Sequence, residues 1–153
     1  LKEWDFKRVT GGLLLQDKDL EVLDTNNLKV VTQTKPTKAQ LKSLIFAFKV
    51  CKHVKSNAIV LAKGTCTVGI GAGQMSRVDS VIIAVRKAAK LAQGACLASD
   101  AFFPKEDAVL AAIKAGIKAI IQPGGSIRDE AIIKVCNKYK IPLVFCGLRH
   151  FKH

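Results

Sequence analysis

Past a turn-rich opening, apolar residues recur along the chain in two alternating rhythms. Leu41, Leu44, Ile45, Phe48 and Cys51 fall at helical spacing behind Pro36 and the capping-box pattern Thr37-x-x-Gln40, which predicts a helix from Lys38 to Lys55. Asn57 to Ala62 is β-branched and apolar, Gly64 turns the chain and Thr65 to Ile70 alternates back, so a hairpin is expected there. Gly69, Gly71 and Gly73 lead to Ser76, whose hydroxyl suits the cap of a helix carrying Val78, Val81, Ile82, Val85, Ala88 and Ala89. One unit then repeats: strand Ala95 to Ala98, helix Pro104 to Ala115 closed by Gly116, strand Ile117 to Ile121, helix Ile127 to Tyr139, strand Pro142 to Phe145.

The predicted strands are near-continuous apolar runs, as in a sheet covered on both faces. Strands alternating with helices imply an α/β fold, a three-layer α/β/α sandwich with a mostly parallel sheet and an antiparallel hairpin at its start. The order from Lys38, α-β-β-α-β-α-β-α-β, resembles the cytidine-deaminase-like fold, which by itself carries no chemistry. Residues 1–36 read as a turn-rich lead-in with short edge strands at Leu13–Leu15 and Leu28–Thr32, and residues 37–153 as the sandwich.

Composition narrows the class. The 153 residues carry 25 Lys+Arg against 12 Asp+Glu, a formal charge of +13, yet 49% are hydrophobic, which excludes disorder. The lysines are spread along every helix with no run longer than a pair, and no aromatic-basic interleaving builds a stacking platform, so they read as solvated faces rather than a nucleic-acid path. Cys51, Cys66, Cys96, Cys136 and Cys146 are odd in number, scattered and set among aliphatics, which predicts buried free thiols in a reducing cytoplasm. No apolar run is long enough for a membrane span, and the opening residues do not form a signal peptide. The absence of an initiator Met suggests a fragment.

Candidate chemistry gathers at helix starts. In zinc deaminases these carry HxE or CxE and PCxxC; here they read Gly73-Gln74-Met75-Ser76-Arg77 and Asp100-Ala101-Phe102-Phe103-Pro104, so no zinc is expected. Three loops converge on the ligand crevice of such a sheet. The glycine-rich loop before Arg77 lets backbone approach a ligand, with Arg77 either gripping an anion or solvated in a first helical turn. Phe102 and Phe103 point in opposite directions, so one can enter the core while the other lines the crevice, or both can be core. Pro123-Gly124-Gly125-Ser126 offers bare amides, though Ser126-x-x-Asp129 is also a capping box. Lys52-His53 suits a helix carboxyl end, and the tail Arg149-His150-Phe151-Lys152-His153 is either frayed or docked through Phe151.

Lys55-Ser56-Asn57-Ala58-Ile59-Val60, the run Gly69 to Ser80, Ser99 to Pro104, Ile121 to Asp129 and Leu148 to His153, in this order, resemble the carboxyl-terminal part of the AICAR transformylase family. That domain is usually joined to IMP cyclohydrolase in one bifunctional purine-biosynthesis enzyme. The resemblance implies formyl transfer from the cosubstrate 10-formyltetrahydrofolate to AICAR ribonucleotide, and a homodimer with shared active sites. By position it assigns Asn57, Arg77, Phe102 and Arg149 to the ribonucleotide, Asn57 with a possible supporting part in catalysis, and Val78, Asp107, Ser126 and Ile127 to the folate.

Lys105 stands where the family commonly has a second aromatic, and the family's catalytic Lys-His pair belongs to a preceding subdomain with a Pro-Cys-Gly motif that this chain lacks. Lys52-His53 is a different pair. Half a site is therefore expected, inactive alone. The alternatives are a stand-alone, non-catalytic folate- or ribotide-binding module and a lysine-rich RNA-binding domain.

Overall fold

A computed structural model describes residues 3–152; Leu1, Lys2 and His153, the ends of the predicted lead-in and tail, lie outside the described residues. The chain forms strands β1 (Trp4–Val9), β2 (Gly12–Asp17) and β3 (Lys29–Val30), helix α1 (Lys38–Cys51), strands β4 (Ile59–Lys63) and β5 (Cys66–Gly71), and helix α2 (Arg77–Ala88). It continues through β6 (Cys96–Ser99), α3 (Glu106–Lys114), β7 (Ala119–Gln122), α4 (Asp129–Lys138) and β8 (Leu143–Phe145).

The main sheet has the order β3-β8-β7-β6-β4-β5. β6, β7 and β8 pair in parallel, whereas β4 pairs antiparallel with both β5 and β6, and β3 antiparallel with β8. β5, β6, β7 and β8 thus point one way, and β3 and β4 the other. The expected hairpin is present, with its first strand inserted between its partner and β6.

Two apolar layers flank the sheet. On one face Leu44, Ala47, Phe48 and Cys51 of α1 bury Val60, Ala98, Ile121 and Val144; on the other, α2, α3 and α4 bring Val81, Ala84, Val109, Ala112 and Ile132 onto Ile59, Leu61, Leu97, Ile120 and Leu143. Alternate strand residues face opposite layers, which is why the runs read as continuously apolar. The capping box forms as expected: Thr37 accepts from the Gln40 amide at 3.1 Å and Gln40 accepts from the Thr37 amide at 2.8 Å.

Three expectations are corrected. Ser76 stands at the start of α2 but its hydroxyl makes no cap bond; it sits where the chain enters from the glycine loop. Gly69 and Gly71 belong to β5 and face α2, where an added Cβ at Gly71 would lie 1.8 Å from the Ser80 carbonyl oxygen and one at Gly69 2.3 Å from that of Ala84. These glycines let helix and sheet touch rather than backbone and ligand. In the lead-in, Leu13–Leu15 lies within β2, which pairs with β1 in a separate two-stranded ribbon, and the strand expected at Leu28–Thr32 is reduced to β3 at the sheet edge. One face of the ribbon carries Trp4, Phe6, Leu13 and Leu15, all exposed.

Candidate functional site

The carboxyl ends of β5 and β6, the start of α2 and the tail after β8 enclose a cleft of about 380 Å³. Asn57, Arg77, Val78, Phe102, Asp107 and Arg149 all line it, together with Met75, Lys105 and Phe151. Every residue assigned to the ribonucleotide is brought into one cavity, as are Val78 and Asp107 from the folate group. Ser126 and Ile127 are on the next loop, outside the lining.

Arg77 is neither solvated nor a free anion grip. It is buried, its Nη1 donates to Asp100 Oδ1 and to Ser99 Oγ at 2.9 Å, and its Nη2 donates to Asn57 Oδ1 at 2.8 Å. Asn57 in turn donates through Nδ2 to the carbonyls of Gln74 at 2.9 Å and Met75 at 3.1 Å, bracing the loop that leads into α2. Asp100, wholly buried, is the hub: its other carboxylate oxygen accepts from Ser56 Oγ at 2.6 Å, and its carbonyl accepts from the His150 amide at 3.0 Å. The cleft floor is a satisfied polar network, which rigidifies such a site.

Above this floor, the two phenylalanines separate. Phe103 is fully buried in the α2–α4 core, and Gln122 Oε1 accepts from its amide at 2.8 Å; Phe102 is half-buried and lines the cleft. The tail is docked, not frayed. The Arg149 guanidinium lies 4.0 Å from the Phe151 ring centroid and 5.6 Å from that of Phe102 while remaining exposed. An arginine held by two ring faces with its fork open to solvent presents a preorganised cation to an anionic ligand. Asp107, at the start of α3, is exposed, with Oδ1 accepting from the Ala108 amide at 2.7 Å.

The third loop differs from expectation. Its amides are not bare, because Asp129 Oδ2 accepts from Gly125 N at 2.7 Å and Ser126 N at 3.1 Å. The capping box is displaced, since Ser126 Oγ accepts from the Arg128 amide at 3.1 Å and α4 starts only at Asp129. Gly124, at φ +78°, has no room for a Cβ against the Phe145 ring at 2.5 Å. Ile127 is completely exposed beside it.

Lys52 and His53 lie away from the cleft, on a second cavity of about 650 Å³ beside the ribbon. Among the described residues no group of three or more His, Cys, Asp or Glu side chains is placed to hold a metal ion. The thiols are free, and Cys51, Cys96, Cys136 and Cys146 are buried, but Cys66, the first residue of β5 beside the Gly64 turn, is exposed, which corrects the expectation for that one. Burial pushes the thiols of Cys96 and Cys146 up to about 11 and that of Cys136 to about 12.

Residues 1–87, more than half of the chain, match the family described as AICARFT/IMPCHase bienzyme. The chain belongs to this family. The bifunctional purine biosynthesis protein PurH of Magnetococcus marinus is 58% identical over 97% of this chain, and that of Listeria monocytogenes serotype 4b is 54% identical over 100% of this chain. The chain spans about 30% of the length of these AICARFT/IMPCHase relatives. A solved structure of Acinetobacter baumannii RibD aligns at TM-score 0.47 and 15% identity over 69% of this chain and 32% of that one, a level that carries no argument about fold family.

Sequence reasoning missed Asp100 and Ser99 as the braces of Arg77, Ser56 as the brace of Asp100, and Asp19 as the partner of His150. An acid just past a strand end, opposite an arginine at a helix start, was a signal available for Asp100 alone. No helix of the described residues is long and apolar enough to cross a membrane.

Proposed function

We propose that this chain is the carboxyl-terminal half-site of an AICAR transformylase acting in cytoplasmic purine biosynthesis. The observation that carries the reading is the convergence of Asn57, Arg77, Phe102 and Arg149, dispersed in sequence, on one cleft. Arg149 takes the charge of the ribonucleotide, Phe102 offers a ring to the flat imidazole, and the Asn57–Arg77–Asp100 network forms a rigid polar wall for the carboxamide. The folate approaches from outside, past Val78 and Asp107 toward Ser126 and Ile127. A volume of about 380 Å³ is near the lower end for ligand pockets, enough for one such ligand and not two. Exposed Lys105 meets the folate at the mouth.

In formyl transfer the 5-amino nitrogen attacks the formyl carbon, a new C–N bond forms, the bond to folate N10 breaks and the proton lost by the amine is returned to N10. That exchange needs a base and a donor for the transient oxyanion. Among the described residues no histidine lines the cleft, and its carboxylate, Asp107, is at the rim. This chain therefore binds and orients while another subdomain of the family protein, in a homodimer with shared sites, supplies the catalytic pair. The exposed apolar ribbon face supports a chain that works within a larger assembly, and the element order supports a cytidine-deaminase-like sandwich.

The test is a chimera in which this chain replaces the matched segment of the Listeria relative. Formyl transfer by the chimera, with none by the chain alone, is the expected result. A folded chimera without transfer, or transfer by the chain alone, contradicts it.

A further inference from the structure

We infer that Asp19 is a positioning residue, latching His150 so that Arg149 is held in the cleft; this rests on the ribonucleotide reading above. His150 is almost fully buried, its ring tilted against Phe48 with centroids 5.2 Å apart. Nδ1 donates to Asp19 Oδ2 at 2.6 Å, a bond that joins residues 131 positions apart, and the other oxygen of Asp19 lies 3.8 Å from Lys52 Nζ. Lys52 itself also donates to the Glu21 carbonyl, so the loop after β2 is tied to the end of α1 at two points.

The tail geometry turns this anchor into a control on the cleft. In an extended segment neighbouring side chains alternate: His150 goes inward to Asp19, while Arg149 and Phe151 both line the cleft. The backbone is pinned on the same side, by the His150 amide on the Asp100 carbonyl at 3.0 Å and by Ser56, which donates its amide to the Lys152 carbonyl at 2.8 Å and accepts the Lys152 amide on Oγ at 3.1 Å. These bonds fix the height of the tail. The His150 side chain fixes its rotation, and with it the direction of the Arg149 fork between the Phe102 and Phe151 rings. A geometric error of about an ångström in a positioned cation is costly, so the lead-in loop takes part in ligand binding without touching the ligand.

The experiment is a double-mutant cycle on the full chain titrated with AICAR ribonucleotide, beside hydrogen exchange of the tail amides without ligand. Asp19→Ala is expected to weaken binding roughly fivefold to tenfold, to add no further loss in an Arg149→Ala background, and to speed exchange of the His150 amide while β7 keeps its protection. Asp19→Asn keeps an acceptor for Nδ1 and is expected to restore binding to within about threefold of wild type. If Arg149→Ala weakens binding but Asp19→Ala neither weakens it nor speeds exchange, or if the two losses simply add, the latch is wrong and the site reading stands. If Arg149→Ala itself leaves binding unchanged, or the wild-type chain does not bind, the site reading fails.

Discussion

Arg77 and Asp100 form an ion pair inside the protein, their side chains only 6% and 1% exposed, at the point where α2 begins and β6 ends. Both charges have further protein partners: the guanidinium also donates to Ser99 and Asn57, and Ser56 donates to the second carboxylate oxygen. A buried pair of this kind is weak evidence for net stability, because desolvation offsets the attraction, but removing one partner strands the other.

Asp100→Ala or Arg77→Ala should therefore destabilise the chain by about 3–5 kcal/mol, read as a loss of denaturation midpoint. Replacing both together with apolar residues of similar volume should cost less than either single change. Equal or greater loss in the double variant would mean the network, not the stranded charge, sets the cost.

The glycine run makes a separate prediction. Gly71→Ala should cost about 1–3 kcal/mol or more, because its Cβ would meet the Ser80 carbonyl oxygen at 1.8 Å and backbone must shift. Gly12→Ala, with nothing within 4 Å, should change stability by less than about 0.5 kcal/mol. Similar melting temperatures for the two variants would refute the packing role given to Gly71.

Much of this organisation is legible locally. The capping box of α1, the apolar stripes of the helices and the Gly64 turn depend on residues a few positions apart, and each forms where expected. What is not legible depends on distant pairing. The insertion of β4 between β5 and β6 rests on the register Ile59 opposite Ser99, which no window of sequence contains. The same holds in the site: Arg77 is visible as a basic residue at a helix start, but its partner Asp100 is 23 positions away, across that pairing. In the lead-in, Trp4–Lys7 alternates apolar and charged residues but Arg8 breaks the pattern and the strand has no core to face, so its pairing with Leu13–Leu15 has no local signal.

The thiols give a pH signature. Cys96, Cys136 and Cys146 have an ordinary value of 9.0 raised by burial to about 11, about 12 and about 11, and burial also pushes Cys51 well above its ordinary value, with the Asp100 charge adding to it. Above pH 9 the unfolded chain releases these protons while the folded chain keeps them, so stability is complete below that pH and falls as pH rises toward 11–12. Melting curves should show this decline. A thiol reagent at neutral pH should label Cys66 quickly and the buried four only on unfolding; rapid labelling of more than one thiol would contradict the packing.

The central claim, that this cleft binds the ribonucleotide through the docked tail, is tested most directly by comparing Arg149→Ala with Lys152→Ala in calorimetric titrations with AICAR ribonucleotide. A charge-assisted arginine contact is worth about 1.5–3 kcal/mol, so Arg149→Ala should weaken binding roughly tenfold or more. Arg149→Lys should recover only part of that loss, because lysine keeps the charge without the planar fork. Lys152, held by its backbone to Ser56 with its side chain on the second cavity, should change little when replaced. Equal and small effects of Arg149→Ala and Lys152→Ala would show that the docked tail does not hold the ribonucleotide and that the account is wrong.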